Sequence, residues 1–541
     1  MDYLIFASLI ATTNPVVRYL VKVFRKDPFQ GIYHANAFDL SFVIPYFIIL
    51  GILSIYGIHR YWLTYLYMKH RDEARQPAKE FAQLPRVTVQ LPIYNERYVV
   101  ERLLEAATAI DYPRDLLEIQ VLDDSTDETR IVCSRLVSEY AHQGYSITYH
   151  HRDNREGFKA GALAEGLQEA TGEFIAIFDA DFVPPPAIVR QMLPYFTDPQ
   201  VGVVQGRWTW LNRHYSNLTE VEAIMLDGHF VIEHGARNFS GRFFNFNGTA
   251  GMWRRAAIED AGGWEHDTLT EDTDLSYRAQ MKGWRFVYDP KIVCPSELPV
   301  EIASFKTQQA RWAKGLTQVA KKLLPVIWRS SQPLKIKIEA TLHLTASLSY
   351  PLMVLFAVIL LPAMIVRFYQ GWFQMLYLDL PLFLASTCSV STFYWVAQRE
   401  LYPRQWWRCL KYIPFLMATG TGLAVTTTKA VLEGLFGIES AFIRTPKYHV
   451  EGRAEGWEQK KYVRQRIGWI PFIELGLAGY FLFTIVYSVI IENYLTSPFL
   501  MLFLTGYSYM GIMSLFQTRL RRLWFALPAL LRPRAVEHAT S

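Results

Sequence analysis

The chain has 541 residues, 51% of them apolar and 15% aromatic, with a formal net charge of +5. That length allows about three to four domain equivalents, and the apolar excess over soluble usage is gathered in blocks. So small a charge argues against a nucleic-acid binder, and Cys133, Cys294, Cys388 and Cys409 have neither metal-ligand spacing nor a disulfide framework, which fits a reducing compartment.

The N-terminal apolar run 3–12 has no basic stretch before it, so no cleavable signal peptide is expected. A first apolar block of bilayer length covers 41–67, and a short polar linker follows at 72–83. From about residue 86 to 325 the pattern changes. An apolar run at 87–94 is closed by Asn95-Glu96 and leads into a helical pattern ending at Ala109. Further strands are predicted at 116–122, ending at Asp123-Asp124, at 146–151, and at 174–178, ending at Asp179-Ala180-Asp181. Helical patterns lie between them. This βαβ series predicts an α/β domain with a mostly parallel, Rossmann-like sheet. Ligands in such sheets sit at the carboxyl ends of the strands, where both acidic clusters fall.

Asp179 and Asp181, followed by the stiff Pro184-Pro185-Pro186, are spaced to aim two carboxylates at one hard divalent cation, Mg²⁺ or Mn²⁺. Asp123-Asp124-Ser125-Thr126-Asp127 reads equally as an N-cap cluster, with Ser125 or Thr126 capping. Thr270-Glu271-Asp272 reads by itself as a helix start, the functional alternative being a general base facing a cleft. His229 and His234, on a helix predicted over 218–236, have no third ligand and read as structural or acceptor-side. Trp208 and Trp210 alternate along a strand after Gln205, with core packing the default and glycan contact the alternative.

Gln308-Gln309-Ala310-Arg311-Trp312 marks the seam between the mixed-pattern half and the apolar half. On a helix Gln308, Arg311 and Trp312 share one face. A guanidinium suits a phosphate and an indole suits a sugar's C–H face; the alternative is a basic helix lying on lipid headgroups. Beyond it, spans are predicted at 340–366, 376–397, 469–491 and 498–515, giving five with the first. A sixth block, 412–436, has basic flanks on both sides: Arg399, Arg404, Arg408 and Lys411 before it, and Arg444, Lys447, Arg453 and Lys460 after it. Cytoplasmic loops gather Lys and Arg, so the block reads as re-entrant or interfacial. The basic tail is then cytoplasmic. That parity puts the N-terminus outside, against the basic Arg18, Lys22, Arg25 and Lys26, unless 3–23 also crosses or lies in the interface. Polar His343 and Glu474 within spans point to a water-lined or saccharide-lined interior, or to span ends.

Taken together and in order, Asp123/Asp124, Asp179/Asp181, Thr270-Glu271-Asp272 and Gln308-x-x-Arg311-Trp312 resemble the D, DxD, TED and QxxRW set of processive, membrane-embedded family 2 inverting glycosyltransferases, to which cellulose, hyaluronan and chitin synthases belong. The blocks Val89–Glu96, Gln120–Asp127, Arg152–Leu163, Ile177–Phe182, Phe246–Gly251 and Ala261–Trp264 are similar to those of plant cellulose-synthase-like mannan and glucan synthases. Phe442-Ile-Arg-Thr-Pro-Lys447 resembles the FxVTxK gating loop of cellulose synthases, with Arg444 in place of Val.

The resemblance implies a GT-A type α/β catalytic domain combined with an α-helical transmembrane domain. The units would be a membrane segment and linker at 1–80, the catalytic domain at 81–300, an interfacial helix at 301–335 and a membrane domain at 336–541 with a gating-like loop at 438–467. Tyr94, Glu96, Asp123, Asp124, Lys159, Asp179, Gln308 and Arg311 would bind the nucleotide-sugar donor, and Asp179 and Asp181 the Mg²⁺ or Mn²⁺. Phe246, Asn247, Gly248, Thr249, Glu271 and Trp312 would border the acceptor, and Asp272 would be the general base. The implied reaction extends a β-linked polysaccharide from GDP-mannose or UDP-glucose and passes it through the protein's own helices. The competing implication is single transfer to a lipid, as in ceramide glucosyltransferases. Implied partners are the donor, the growing polysaccharide or lipid acceptor and membrane lipids, with accessory subunits left open and nucleic acid excluded. The implied location is a multi-pass membrane protein with its catalytic domain in the cytoplasm, where soluble donor is made, the membrane being the plasma or inner membrane if the source is bacterial.

Overall fold

A computed structural model describes residues 36–73, 77, 79–371, 376–439, 444–452, 455–458, 460–462 and 468–531. The expectations placed on 3–26, on Phe442 and Ile443, and on the basic residues beyond 531 lie outside the described residues.

The four predicted strands form as β1 (Val87–Ile93), β2 (Leu117–Asp123), β3 (Ile147–His151) and β4 (Phe174–Ile177). All seven residues of β1 are buried, as expected of a central strand covered on both faces. Its two polar side chains bond to the neighbouring strand: the Thr88 hydroxyl donates to Glu118 at 2.6 Å and the Gln90 amide N–H to Gln120 at 3.0 Å. Three more strands complete the sheet, β5 (Val201–Trp210), β6 (Gly251–Arg254) and β7 (Arg285–Ser296), in the order β3-β2-β1-β4-β6-β5-β7. Only β6 runs antiparallel to its neighbours β4 and β5; the other pairings are parallel. Because β6 is reversed, its N-terminal end lies at the same edge as the C-terminal ends of β1, β2, β4 and β7. That edge therefore gathers Tyr94, Asp123, Asp179, Ser296 and the turn Asn247–Ala250.

The residues between β2 and the next helix pack differently from the expected cap. That helix spans Thr129–His142, and Asp127, rather than Ser125 or Thr126, accepts from its Thr129 N–H at 2.9 Å. Ser125 instead receives the Asn95 N–H at 2.7 Å, tying the ends of β1 and β2 together.

Among the described residues, five helices are long and apolar enough to cross a membrane: Ala37–Glu73, Ala346–Tyr369, Leu378–Leu401, Ile470–Ile490 and Ser497–Leu520. The span predicted from 340 begins later. A separate helix, Leu334–Leu344, precedes it; its buried Glu339 accepts from Arg237 at 2.9 Å and is bonded at 3.1 Å to His59 of the first membrane-length helix. The block predicted at 412–436 is a pair of helices, Trp406–Gly422 and Ala424–Phe436, bent by 43° at Leu423.

The seam is one helix, Ile302–Arg329. Lys306 on its first turns forms a buried ion pair with Glu474 at 2.6 Å, so Glu474 faces the seam helix. Further along, Gly315 touches Thr270; a Cβ there would come within 2.8 Å of the Thr270 backbone nitrogen. The seam helix is thus locked both to a membrane helix and to the Thr270-Glu271-Asp272 turn.

Candidate active site

One cavity of about 240 Å³ opens at the C-terminal edge of the sheet. Of the predicted site residues, Tyr94, Glu96, Asp124, Lys159, Asp179, Asp181, Asn247, Gly248, Glu271, Asp272, Gln308, Arg311 and Trp312 line it. Carboxylates from three strand ends and a helix start therefore share one space with the seam helix's amide, guanidinium and indole. Asp123, Phe246 and Thr249 do not line it. Asp123 is fully buried, accepting from the Ser125 N–H at 2.9 Å and the Tyr149 hydroxyl at 2.7 Å, which leaves Asp124 as the member of that pair facing the cavity. Phe246 is buried edge-on against Trp253, and Thr249 supports from behind, its hydroxyl receiving the Asp179 N–H at 2.9 Å.

At one end, Arg152 grips Asp124 with two hydrogen bonds of 2.7 Å and also donates to the Phe158 carbonyl at 2.8 Å. That fork folds the 152–158 loop so that the Arg155 guanidinium lies 3.3 Å over the Tyr94 ring. The stacked pair forms one wall at this end of the cavity.

In the centre, Lys159 pairs with Asp179 and donates to the Gly248 carbonyl at 2.9 Å. Asp181 accepts from the Ser296 hydroxyl at 2.9 Å and pairs with Lys447 at 2.8 Å. Burial raises the Asp179 carboxyl, against the pull of Lys159. Burial works to lower both ammoniums, but the neighbouring carboxylates outweigh it and hold Lys159 and Lys447 above the usual lysine range. Asp179 and Asp181 are hard oxygen donors of the kind a divalent ion takes, and each is paired with a lysine that such an ion would have to displace. A third acidic group, Glu265, Asp267 and Asp274, lies elsewhere, and the Lys322 ammonium pairs with all three.

At the far side, Asp272 is held by the Thr273 N–H at 2.6 Å. Burial, then the adjacent Glu271 carboxylate, push its carboxyl up to about 7, while Lys159 pulls it down. Gly248 has φ +77° and sits against it; a Cβ there would lie 3.0 Å from Asp272 Oδ2. Only glycine adopts that backbone readily and leaves the approach open.

Past Asp272 and Trp312 a second cavity, about 260 Å³, adds His229, Glu233 and His343. It meets a third of about 430 Å³ among the membrane helices, lined by Tyr56, Arg60, Tyr350 and Tyr394. His229 faces this route and bonds Asn247 at 3.1 Å. His234 is buried behind it, bonded to the Asn245 carbonyl and the Asn247 amide, and is structural. His343, polar in a predicted span, also lines the route and is fixed by the Tyr277 hydroxyl at 2.8 Å.

A family model described as "Glycosyltransferase like family 2" matches residues 85–315. Glucomannan 4-beta-mannosyltransferase 9 of Arabidopsis thaliana is 31% identical over 470 residues, covering 81% of this chain and 84% of that protein. The chain belongs to glycosyltransferase family 2. This family 2 chain is also 41% identical to glucomannan 4-beta-mannosyltransferase 1 of rice, Oryza sativa subsp. japonica, over 257 residues that cover 46% of it and 49% of the rice protein. It spans about half the length of several such curated relatives. Among solved structures, the mannosyltransferase PcManGT from Pyrobaculum calidifontis in complex with GDP-Man and Mn²⁺ aligns with 22% identity and TM-score 0.46, covering 73% of this chain and 100% of that one. The mixed sheet is of GT-A type, as the sequence implies.

The sequence assigns no site role to several lining residues. Arg444, where the gating-like pattern has Val, forms an ion pair with Glu96 at 2.8 Å, and Lys447 reaches both Asp181 and the Glu297 carbonyl. Burial lifts Glu96 to about 7, with Arg444 opposing. Trp208 and Trp210 both line the first cavity, so they are not simply core. The resemblance of 442–447 to a gating loop was the available clue to the two cations.

Proposed function

We propose that this protein is a membrane-embedded inverting glycosyltransferase that moves a hexose, mannose first among candidates, from a nucleotide sugar to a growing β-linked polysaccharide. The observation that carries this is the convergence of Asp179, Asp181, Asp272, Arg311 and Trp312 on one cavity that continues past Trp312 toward the membrane helices. The names of the plant relatives favour mannose.

The donor's base would lie at Tyr94 and Arg155, and its diphosphate between Lys159 and Arg311. Asp179 and Asp181 would hold Mg²⁺ or Mn²⁺, which supplies positive charge to the leaving diphosphate. Trp312 would stack beneath the acceptor's terminal sugar. Asp272 takes the proton of the acceptor hydroxyl as its oxygen bonds to the anomeric carbon, on the face opposite the breaking carbon–oxygen bond. The nucleoside diphosphate leaves and the configuration inverts. A carboxyl poised near 7 suits this proton transfer at neutral pH. The catalytic domain would face the cytoplasm, with the chain's product leaving through the spans.

The test is incubation of the purified membrane protein with labelled GDP-mannose or UDP-glucose and Mg²⁺ or Mn²⁺, followed by sizing and linkage analysis. Long β-linked polymer supports the proposal. A single-sugar lipid product, or no transfer, contradicts it.

A further inference from the structure

Glu222 lies on the helix Asn217–Gly228 and is 1% exposed. Neither of its carboxyl oxygens has a hydrogen-bond partner among the described residues. Buried polar groups in native proteins are nearly always paired, so an orphaned carboxyl calls for an explanation. A structural role does not supply one, because the side chain bonds nothing.

Its position does. Glu222 lines the donor cavity and also the second cavity beyond Asp272, and it shares that junction with Trp208, Asn247, Asp272 and Trp312. The Trp208 indole N–H is likewise buried and unpartnered among the described residues. Two unsatisfied polar groups thus border the place where a new glycosidic bond would form. Along the same face, Met225, His229 and Glu233 line the second cavity, so Glu222 heads a ridge that follows the acceptor rather than the donor.

We propose that Glu222 is an acceptor-binding residue, hydrogen-bonding a hydroxyl of the terminal acceptor sugar so that the attacking hydroxyl is presented to Asp272. This inference rests on the glycosyl-transfer reading above. Burial pushes the Glu222 carboxyl up to about 8, with Lys447 opposing. At neutral pH it therefore keeps its proton and both donates to and accepts from a sugar hydroxyl.

The experiment compares native protein, Glu222→Gln and Glu222→Ala in donor binding by calorimetry, donor hydrolysis, and transfer to a soluble β-linked mannotetraose. Glu222→Ala should raise the acceptor KM by roughly tenfold, the loss of one good hydrogen bond. Glu222→Gln, which still donates and accepts, should recover most of it. Donor affinity and hydrolysis should stay at native levels in both. Glu222→Gln, which keeps the side chain's volume and removes no hydrogen bond to the protein, should melt as the native protein does. An acceptor KM within about twofold of native in Glu222→Ala, or a parallel loss of donor affinity, overturns the inference. Native protein that neither binds nor hydrolyses a nucleotide sugar overturns the glycosyl-transfer reading itself, and this inference with it.

Discussion

At Asp272, ionisation is held off until the pH nears 7, because burial and the Glu271 carboxylate both disfavour the second negative charge. The base form is the one above that pH. Transfer measured as kcat/KM should therefore fall about tenfold per unit as the pH drops below 7, and level off above it; a flat profile between pH 5 and 7 would remove Asp272 from that role. Arg311 offers a planar fork that a lysine lacks. Arg311→Lys should raise the donor KM roughly tenfold with the fold intact, read by steady-state kinetics and circular dichroism. Much of this chemistry is legible in sequence, since Asp179, Asp181, Asp272 and Trp312 belong to short patterns. Glu222 and Arg444 are not, because each acquires its meaning from its surroundings in the fold, such as Glu96 beside Arg444; Lys447 is legible only as the last position of the gating-like pattern.

For the elements, the seam helix sets the geometry between Asp272 and Trp312, the proposed base and sugar platform. Gly315 permits its contact with Thr270, where a Cβ would also fall 2.5 Å from the Thr270 methyl. Gly315→Ala should displace Trp312 relative to Asp272 and cut turnover by about 10²-fold while the donor still binds. Lys306 and Glu474 tie the same helix to the span Ile470–Ile490, with side chains 8% and 0% exposed. Glu474→Ala leaves a buried ammonium without that carboxylate and should cost about 3–5 kcal/mol, read as a lowered melting temperature in detergent. The strands β1 to β4 are legible because they are apolar runs closed by acidic turns. The short β6 covers four residues, and β7 contains Asp289-Pro290-Lys291 where its register against β5 shifts. Neither shows a clean period. The helix break near 344 is invisible in hydropathy, because the apolar block runs on through it.

Across the molecule, three joined cavities lead from the sheet edge past Asp272 and Trp312 to the helices that are apolar enough to span a bilayer. On the proposed reading, soluble donor would enter on one side and a lengthening chain would leave on another. The five apolar blocks are plain in the sequence. The bend at Leu423 is not, because the helix pair on either side of it has continuous apolar character. The most direct test of the whole account is to measure donor binding and polymer formation side by side for native protein and Asp272→Asn. The account predicts equal affinity for the nucleotide sugar and a loss of transfer of about 10²–10⁴-fold in the variant. Native-level polymer from Asp272→Asn would contradict it.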